Sequence, residues 1–124
     1  MSKPIVYIAA PYRSKCASGI FHNIMQARDA AATVWRMRGV ALCPHLNTFL
    51  FDGVYELPDK IWLEGDLLLL SKCDAAWFFD GFTASTGVEA EYNFCLHSKI
   101  KAFEDLHELE GFIFRFNEQD VNGV

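Results

Sequence analysis

At 124 residues the chain has room for one domain with a sizeable core and not for two. A 52% hydrophobic and 15% aromatic content excludes disorder. A net charge of −5 without any basic run excludes a surface that tracks a nucleic-acid polymer, leaving room for one small anion held locally.

Pro4 to Ala9 (PIVYIA) is a short apolar run without polar alternation, the pattern of a central parallel strand buried on both faces. It opens into a polar turn, Ala10-Pro11-Tyr12-Arg13-Ser14. From Ser18 to Arg38, apolar side chains at Ile20, Ile24, Ala27, Ala31 and Val34 follow the spacing of an amphipathic helix, with Gly39 expected just past its end. Val40 to Cys43 is a second strand stopped by Pro44-His45. A long loop is expected over Leu46 to Leu57, carrying Phe49, Phe51 and Tyr55; loops of that length in compact domains are usually functional. Pro58 suits the first turn of a helix reaching Ser71. Asp74 to Phe79 reads as a third strand, Thr86 to His97 as a third long helix and Lys99 to Phe103 as a fourth strand. Asp105 is placed to cap a last short helix, and Phe112 to Val124 has no assignable pattern.

Strands alternating with helices predict a single α/β domain over 1–124, a flavodoxin-like, doubly wound parallel sheet of four to five strands. Ligands of such sheets bind beyond the carboxyl ends of the strands. That gathers the turn after the first strand, Pro44 to Asn47, and the segment Asp80 to Phe94 (DGFTASTGVEAEYNF) around one cleft. Thr86 and Glu89 fit a capping box, T-x-x-E, which makes Glu89 helix-end chemistry. Glu91 lies two positions on, roughly 200° around the helix, and is free for another task.

Several chemistries are missing their motifs. No G-x-G-x-x-G follows the first strand, no glycine-lysine phosphate loop occurs, and Ser85 in T-A-S-T-G is not a hydrolase elbow. The four cysteines, Cys16, Cys43, Cys73 and Cys95, form no C-x-x-C and pair with no closely spaced histidines, so neither a metal site nor a disulfide framework is indicated. No cofactor is implied. The first residues read as a strand rather than a signal peptide, Leu67 to Leu70 is too short to span a bilayer, and a cytoplasmic location is expected. What remains is a cleft with carboxylates, a tyrosine, an arginine, hydroxyls and aromatics. Carboxylates without a metal are the equipment of glycosyl transfer or glycoside hydrolysis.

The order V-Y-I-A-A-P-Y-R, Asn23, Gly39, Pro44-His45, Asp66-Leu67, Cys73-Asp74-Ala75 and Ser85-x-Gly87-x-x-x-Glu91 resembles the N-(deoxy)ribosyltransferase-like superfamily. That group holds the nucleoside 2-deoxyribosyltransferases and the 2′-deoxynucleoside 5′-phosphate N-hydrolases. Within it, the chain is similar to a branch of short, uncharacterised bacterial and phage proteins. The resemblance covers Pro4 to Lys101. It implies that Glu91 is the nucleophile on the anomeric carbon, that Tyr7 orients that carboxylate, and that Asp66 serves as acid to the leaving base. It further implies substrate contacts from Ser85, where monophosphate hydrolases carry serine, and from Gly87, Asn23 and His45, with Arg13 and Ser14 fitting a 5′-phosphate. The long aromatic loop and the tail depart from the family pattern, which leaves the base open.

Each residue also has a plainer reading. Glu91 could be an exposed helix glutamate, Asp66 a solvated one, Tyr7 a packed core residue, Arg13 half of a surface ion pair and His45 a loop-packing histidine. For the proposed chemistry, Glu91 should stay ionised, helped by a helix N-terminus and the tyrosine, and Asp66 should hold a proton because of burial. Phe49, Phe51, Tyr55 and Phe82 are the candidates to stack a base. The leading expectation is cleavage of the N-glycosidic bond of a deoxynucleotide or nucleoside by hydrolysis or transfer. The alternatives are a non-catalytic nucleotide-binding module and a partner-binding protein. The small-molecule partner is a nucleotide or nucleoside, and the apolar surplus suggests a homo-oligomer, a dimer or tetramer.

Overall fold

Val6 and Ile8 pack on one side of the first strand and Tyr7 and Ala9 on the other, and all four are buried. A strand covered by helices on both faces needs apolar side chains at every position, which is why this run shows no alternation. The structure, a computed structural model, describes residues 3–51, 57–81 and 86–122. In chain order the elements are β1 (Ile5–Ile8), α1 (Ala17–Arg36), β2 (Val40–Leu42), α2 (Pro44–Thr48) and α3 (Asp59–Leu70), followed by β3 (Ala75–Trp77), α4 (Thr86–Ser98), β4 (Lys101–Phe103) and α5 (Leu106–Asn122).

The strands form one parallel sheet in the order β2-β1-β3-β4, with Tyr7 in register with Leu42 on one side and Ala76 on the other. This is the expected doubly wound fold. Its order reverses between β1 and β3, which opens a crevice at their carboxyl ends. On one face, Ala27, Ala31 and Val34 of α1 and Leu109 and Ile113 of α5 pack on Val6, Ile8 and Trp77. On the other face, Leu70 of α3 and Val88 and Cys95 of α4 pack on Tyr7, Ala76 and Phe78. Completely buried side chains of this size contribute about 1.5–3 kcal/mol each against exposure. Asp74, just before β3, accepts from the Ile5 amide at 2.8 Å and donates its own amide to the Ile5 carbonyl at 2.9 Å. It locks the start of β1 to the start of β3.

Four local expectations change. Pro44 begins the short helix α2 rather than ending in a loop, because proline suits a first helical position where no amide partner is needed. The loop after it is correspondingly shorter, and residues 52–56, with Tyr55, lie outside the described residues. The last helix is long: Leu109, Phe112, Ile113 and Phe116 repeat at helical spacing, so the unassigned tail continues α5 to Asn122. Asp105 does cap it, its Oδ2 accepting from the Glu108 amide at 3.0 Å. At the end of α1 the left-handed position falls on Arg38 (φ 71°) and not on Gly39. Gly39 donates to the Val34 carbonyl at 3.0 Å, and a Cβ there would meet Val34 at 3.0 Å and Ile113 at 3.2 Å. Its missing side chain serves close packing rather than backbone freedom. Thr86, finally, already lies inside α4, one place past the N-cap that a capping box assigns it.

Candidate functional site

The pleat of β1 directs Tyr7 toward α3 and α4, opposite to Val6 and Ile8. On α4, Val88, Glu91 and Cys95 share the inward stripe and are buried, whereas Glu89 is exposed. Glu91 is therefore carried into the interior by the apolar neighbours on its own helix face; only 7% of it is exposed. There the Tyr7 hydroxyl donates to Glu91 Oε2. The exposed-glutamate reading of Glu91 is excluded by this burial, and Tyr7 is both a core residue and the carboxylate's donor.

Asp66 comes from α3, which packs against α4. It and Glu91 line one cleft of about 290 Å³, at the small end of ordinary ligand sites. Burial pushes Asp66 up to about 6, as expected. Burial also pushes Glu91 up, to about 8; the Asp66 charge adds to this and the Tyr7 hydrogen bond opposes it. The expectation that Glu91 stays the more readily ionised of the two is thus reversed. The tyrosine acts in the expected sense, but desolvation outweighs it. The helix terminus gives little help, because its field fades after the first turn and Glu91 lies beyond it. Tyr7 itself is held far above the usual phenol range by burial and then by the two carboxylates.

The turn after β1 forms one rim. Arg13 and Tyr12 line the cleft, the guanidinium 5.3 Å from the Tyr12 ring centroid. Arg13 Nη2 also meets Asp59 Oδ1 at 2.9 Å, joining this rim to the start of α3. Both partners are half or more exposed, so the pair contributes only about 0–1 kcal/mol. An arriving anion can compete for that guanidinium. His45 lines the cleft from α2: Nε2 donates to the Pro11 carbonyl at 3.0 Å, and the ring stands edge-on to Tyr12. Burial lowers its pKa, which keeps it neutral.

Gly87 lines the cleft beside Val88, whereas Ser85 and Phe82 lie outside the described residues. Two expected contact residues stand away from the cleft. Asn23 donates to the backbone carbonyls of Tyr12 (3.2 Å) and Arg13 (3.4 Å), fixing the turn from behind. Ser14 turns toward α1, where a Cβ on Gly19 would lie 2.0 Å from its Oγ. Phe49 and Phe51 are exposed and do not line the cleft. The aromatic walls are Tyr12 and Trp62 instead, with Leu63 and Thr48 between polar groups. Sequence reasoning missed Trp62, although Asp59, Trp62, Leu63 and Asp66 recur at i, i+3, i+4 and i+7 and so share one helix stripe.

Among the described residues, no group of three or more His, Cys, Asp or Glu is placed to hold a metal ion, and no helix is long and apolar enough to cross a membrane. Fold and cleft together define a doubly wound α/β protein with a buried tyrosine–carboxylate pair at the switch point of its sheet. The chain belongs to the family described as a domain of unknown function, DUF7768, which it matches over residues 4–104. No curated protein matches it. Helix α5 begins beyond the matched segment.

Proposed function

We propose that the cleft cleaves the N-glycosidic bond of a 2′-deoxynucleoside 5′-phosphate or a close relative, by hydrolysis or by transfer of the sugar to a second base. The single observation that carries this reading is the buried Glu91 carboxyl, held by Tyr7 and facing the same cleft as Asp66. A glycosyl transition state carries positive charge at C1′ and negative charge on the departing base. An anion below the sugar and an acid beside the base answer those two needs.

In the proposed cycle a Glu91 oxygen forms a bond to C1′ while the C1′–N bond breaks and its electron pair leaves with the base. Asp66 delivers a proton to that base. Water, or a second base, then attacks C1′ and gives up a proton to the Asp66 carboxylate, while the C1′–O ester bond breaks and its electrons return to Glu91. The reactive form needs one proton on the pair, carried by Asp66. Between about 6 and about 8 the pair holds that single proton, and substrate cation character at C1′ draws the charge to Glu91. Arg13 supplies a cation for a 5′ phosphate, and Tyr12 and Trp62 supply flat walls for the base.

The test is base release from a panel of deoxynucleotides and nucleosides, followed by chromatography. Release by wild type and its loss in Glu91→Gln is the expected result. Undiminished release by Glu91→Gln sinks the proposal. Tight binding of ligand recovered intact favours the non-catalytic nucleotide-binding module, which the neutral Glu91 carboxyl of the resting cleft would suit as a hydrogen-bond donor.

A further inference from the structure

Among the described residues, two charged basic side chains line the cleft, Arg13 and Lys60. Carboxylates of α3 already meet both: Arg13 Nη2 lies 2.9 Å from Asp59 Oδ1, and Lys60 Nζ lies 3.8 Å from Glu64 Oε1. The contacts differ in kind. Lys60 and Glu64 stand one turn apart on one helix, whereas Arg13 and Asp59 join two walls of the cleft, the turn after β1 and the start of α3. Asp59 lines the cleft itself, so an anion that takes the Arg13 guanidinium meets this carboxylate on arrival.

Each half of the Arg13–Asp59 pair is held independently of the other. Asp59 stands in the first turn of α3, where the open amides of a helix start favour a carboxylate. Asn23 holds the Tyr12 and Arg13 carbonyls, and the guanidinium lies against the Tyr12 ring. An anion on Arg13 therefore displaces Asp59 from the guanidinium without removing its charge from the rim. The cleft also has a direction: Glu91, at its inner end, is 7% exposed, while the Asp59 side chain is 74% exposed.

We infer that Asp59 is a specificity-determining residue that limits the ligand to a single phosphate, so that a nucleoside monophosphate is accepted and a di- or triphosphate is disfavoured. This rests on the reading of Arg13 as the cation for a 5′ phosphate. A sugar seated over Glu91 runs its 5′ end outward to Arg13, and a second phosphate then lies at the open rim, within a Debye length of about 8–10 Å from Asp59. The guanidinium is engaged by the first phosphate, Lys60 faces Glu64, and the added charge meets a carboxylate. At a separation of about 6 Å in a rim open to water, each further like charge weakens binding about three- to tenfold.

Inorganic phosphate and pyrophosphate are the probes, since neither holds a glycosidic bond and neither is consumed by the proposed chemistry. Titration calorimetry on the wild-type chain should find pyrophosphate binding no more tightly than phosphate. Asp59→Asn should tighten both, and pyrophosphate about three- to tenfold more than phosphate. Asp59→Glu, which keeps the charge, should match the wild type, and Arg13→Gln added to Asp59→Asn should abolish the gain. An unchanged ratio of the two affinities in Asp59→Asn, the same behaviour in Asp59→Glu as in Asp59→Asn, a gain that survives without Arg13, or no phosphate binding by either wild type or Asp59→Asn would each overturn the inference. If the binding results hold and the wild type releases no base, the cleavage reading fails and the limit to one phosphate stands.

Discussion

The Tyr7 hydroxyl reaches the carboxyl of Glu91 across 84 positions of sequence, tying β1 to α4 behind the cleft that Glu91 lines. Two opposed effects meet in that contact. The hydrogen bond favours the carboxylate and burial favours the acid, with burial the larger. Tyr7→Phe removes only the favourable part. Glu91 should then ionise at a still higher pH. A hydrogen bond to a charged group contributes about 1.5–3 kcal/mol, so base release at neutral pH should fall about ten- to a hundredfold. The descending limb of the pH profile, set by the proton that Glu91 holds, should move to more alkaline values. A variant with unaltered rate and pH profile would show that Tyr7 is only core packing.

Under the proposed chemistry the Glu91–Asp66 pair sets the pH dependence of base release. With Asp66 near 6 and Glu91 near 8, kcat/KM should be bell-shaped, with its maximum between those values. Asp66→Asn removes both the acid and the charge that helps raise Glu91. The rate should drop about a hundredfold or more, and the descending limb should be lost, leaving a single rise governed by Glu91. An effect confined to KM would remove Asp66 from the transition state.

The alternation of strands and helices, the inward stripe of α1 and the cap at Asp105 could be read from the chain because each depends on neighbours within a few positions. Glu91 was also distinguishable from Glu89 by helical angle alone. The partition of protons between Glu91 and Asp66 was not, because it depends on how deeply each lies, and burial follows from the packing of α3 on α4. Trp62 escaped notice for a different reason. Its stripe on α3 looks like ordinary amphipathicity until the sheet order shows that the stripe faces an opening. Phe49 and Phe51 show the opposite case: aromatic residues in an expected loop suggest a base wall, and α2 and its end leave them exposed.

Burial of Glu91 should also appear in stability. Its pKa in the folded protein, about 8, lies above its ordinary value of 4.5. The folded state therefore holds a proton that the unfolded chain releases. The stabilising contribution is complete below about 4.5 and is lost as pH rises through about 8, with Asp66 acting in the same direction from 3.8 to about 6. The melting temperature should fall across that interval, by an amount reflecting on the order of a few kcal/mol. In Glu91→Gln, which keeps the shape and cannot ionise, the fall should be much flatter. Parallel curves for the two proteins would contradict the burial of an ionisable carboxyl.

Trp62 offers the most direct reading of what enters the cleft. It lies one helical turn before Asp66 on the same stripe, and both line the opening. A base stacked on an aromatic ring gains about 1–3 kcal/mol by alanine substitution. Trp62→Ala should therefore weaken nucleotide binding about five- to a hundredfold, while the abasic sugar phosphate should bind as before. Trp62→Phe should recover most of the loss, because it restores a flat ring. Equal weakening for the nucleotide and the sugar phosphate would mean that Trp62 shapes the cleft as a whole, and would place the base against another wall.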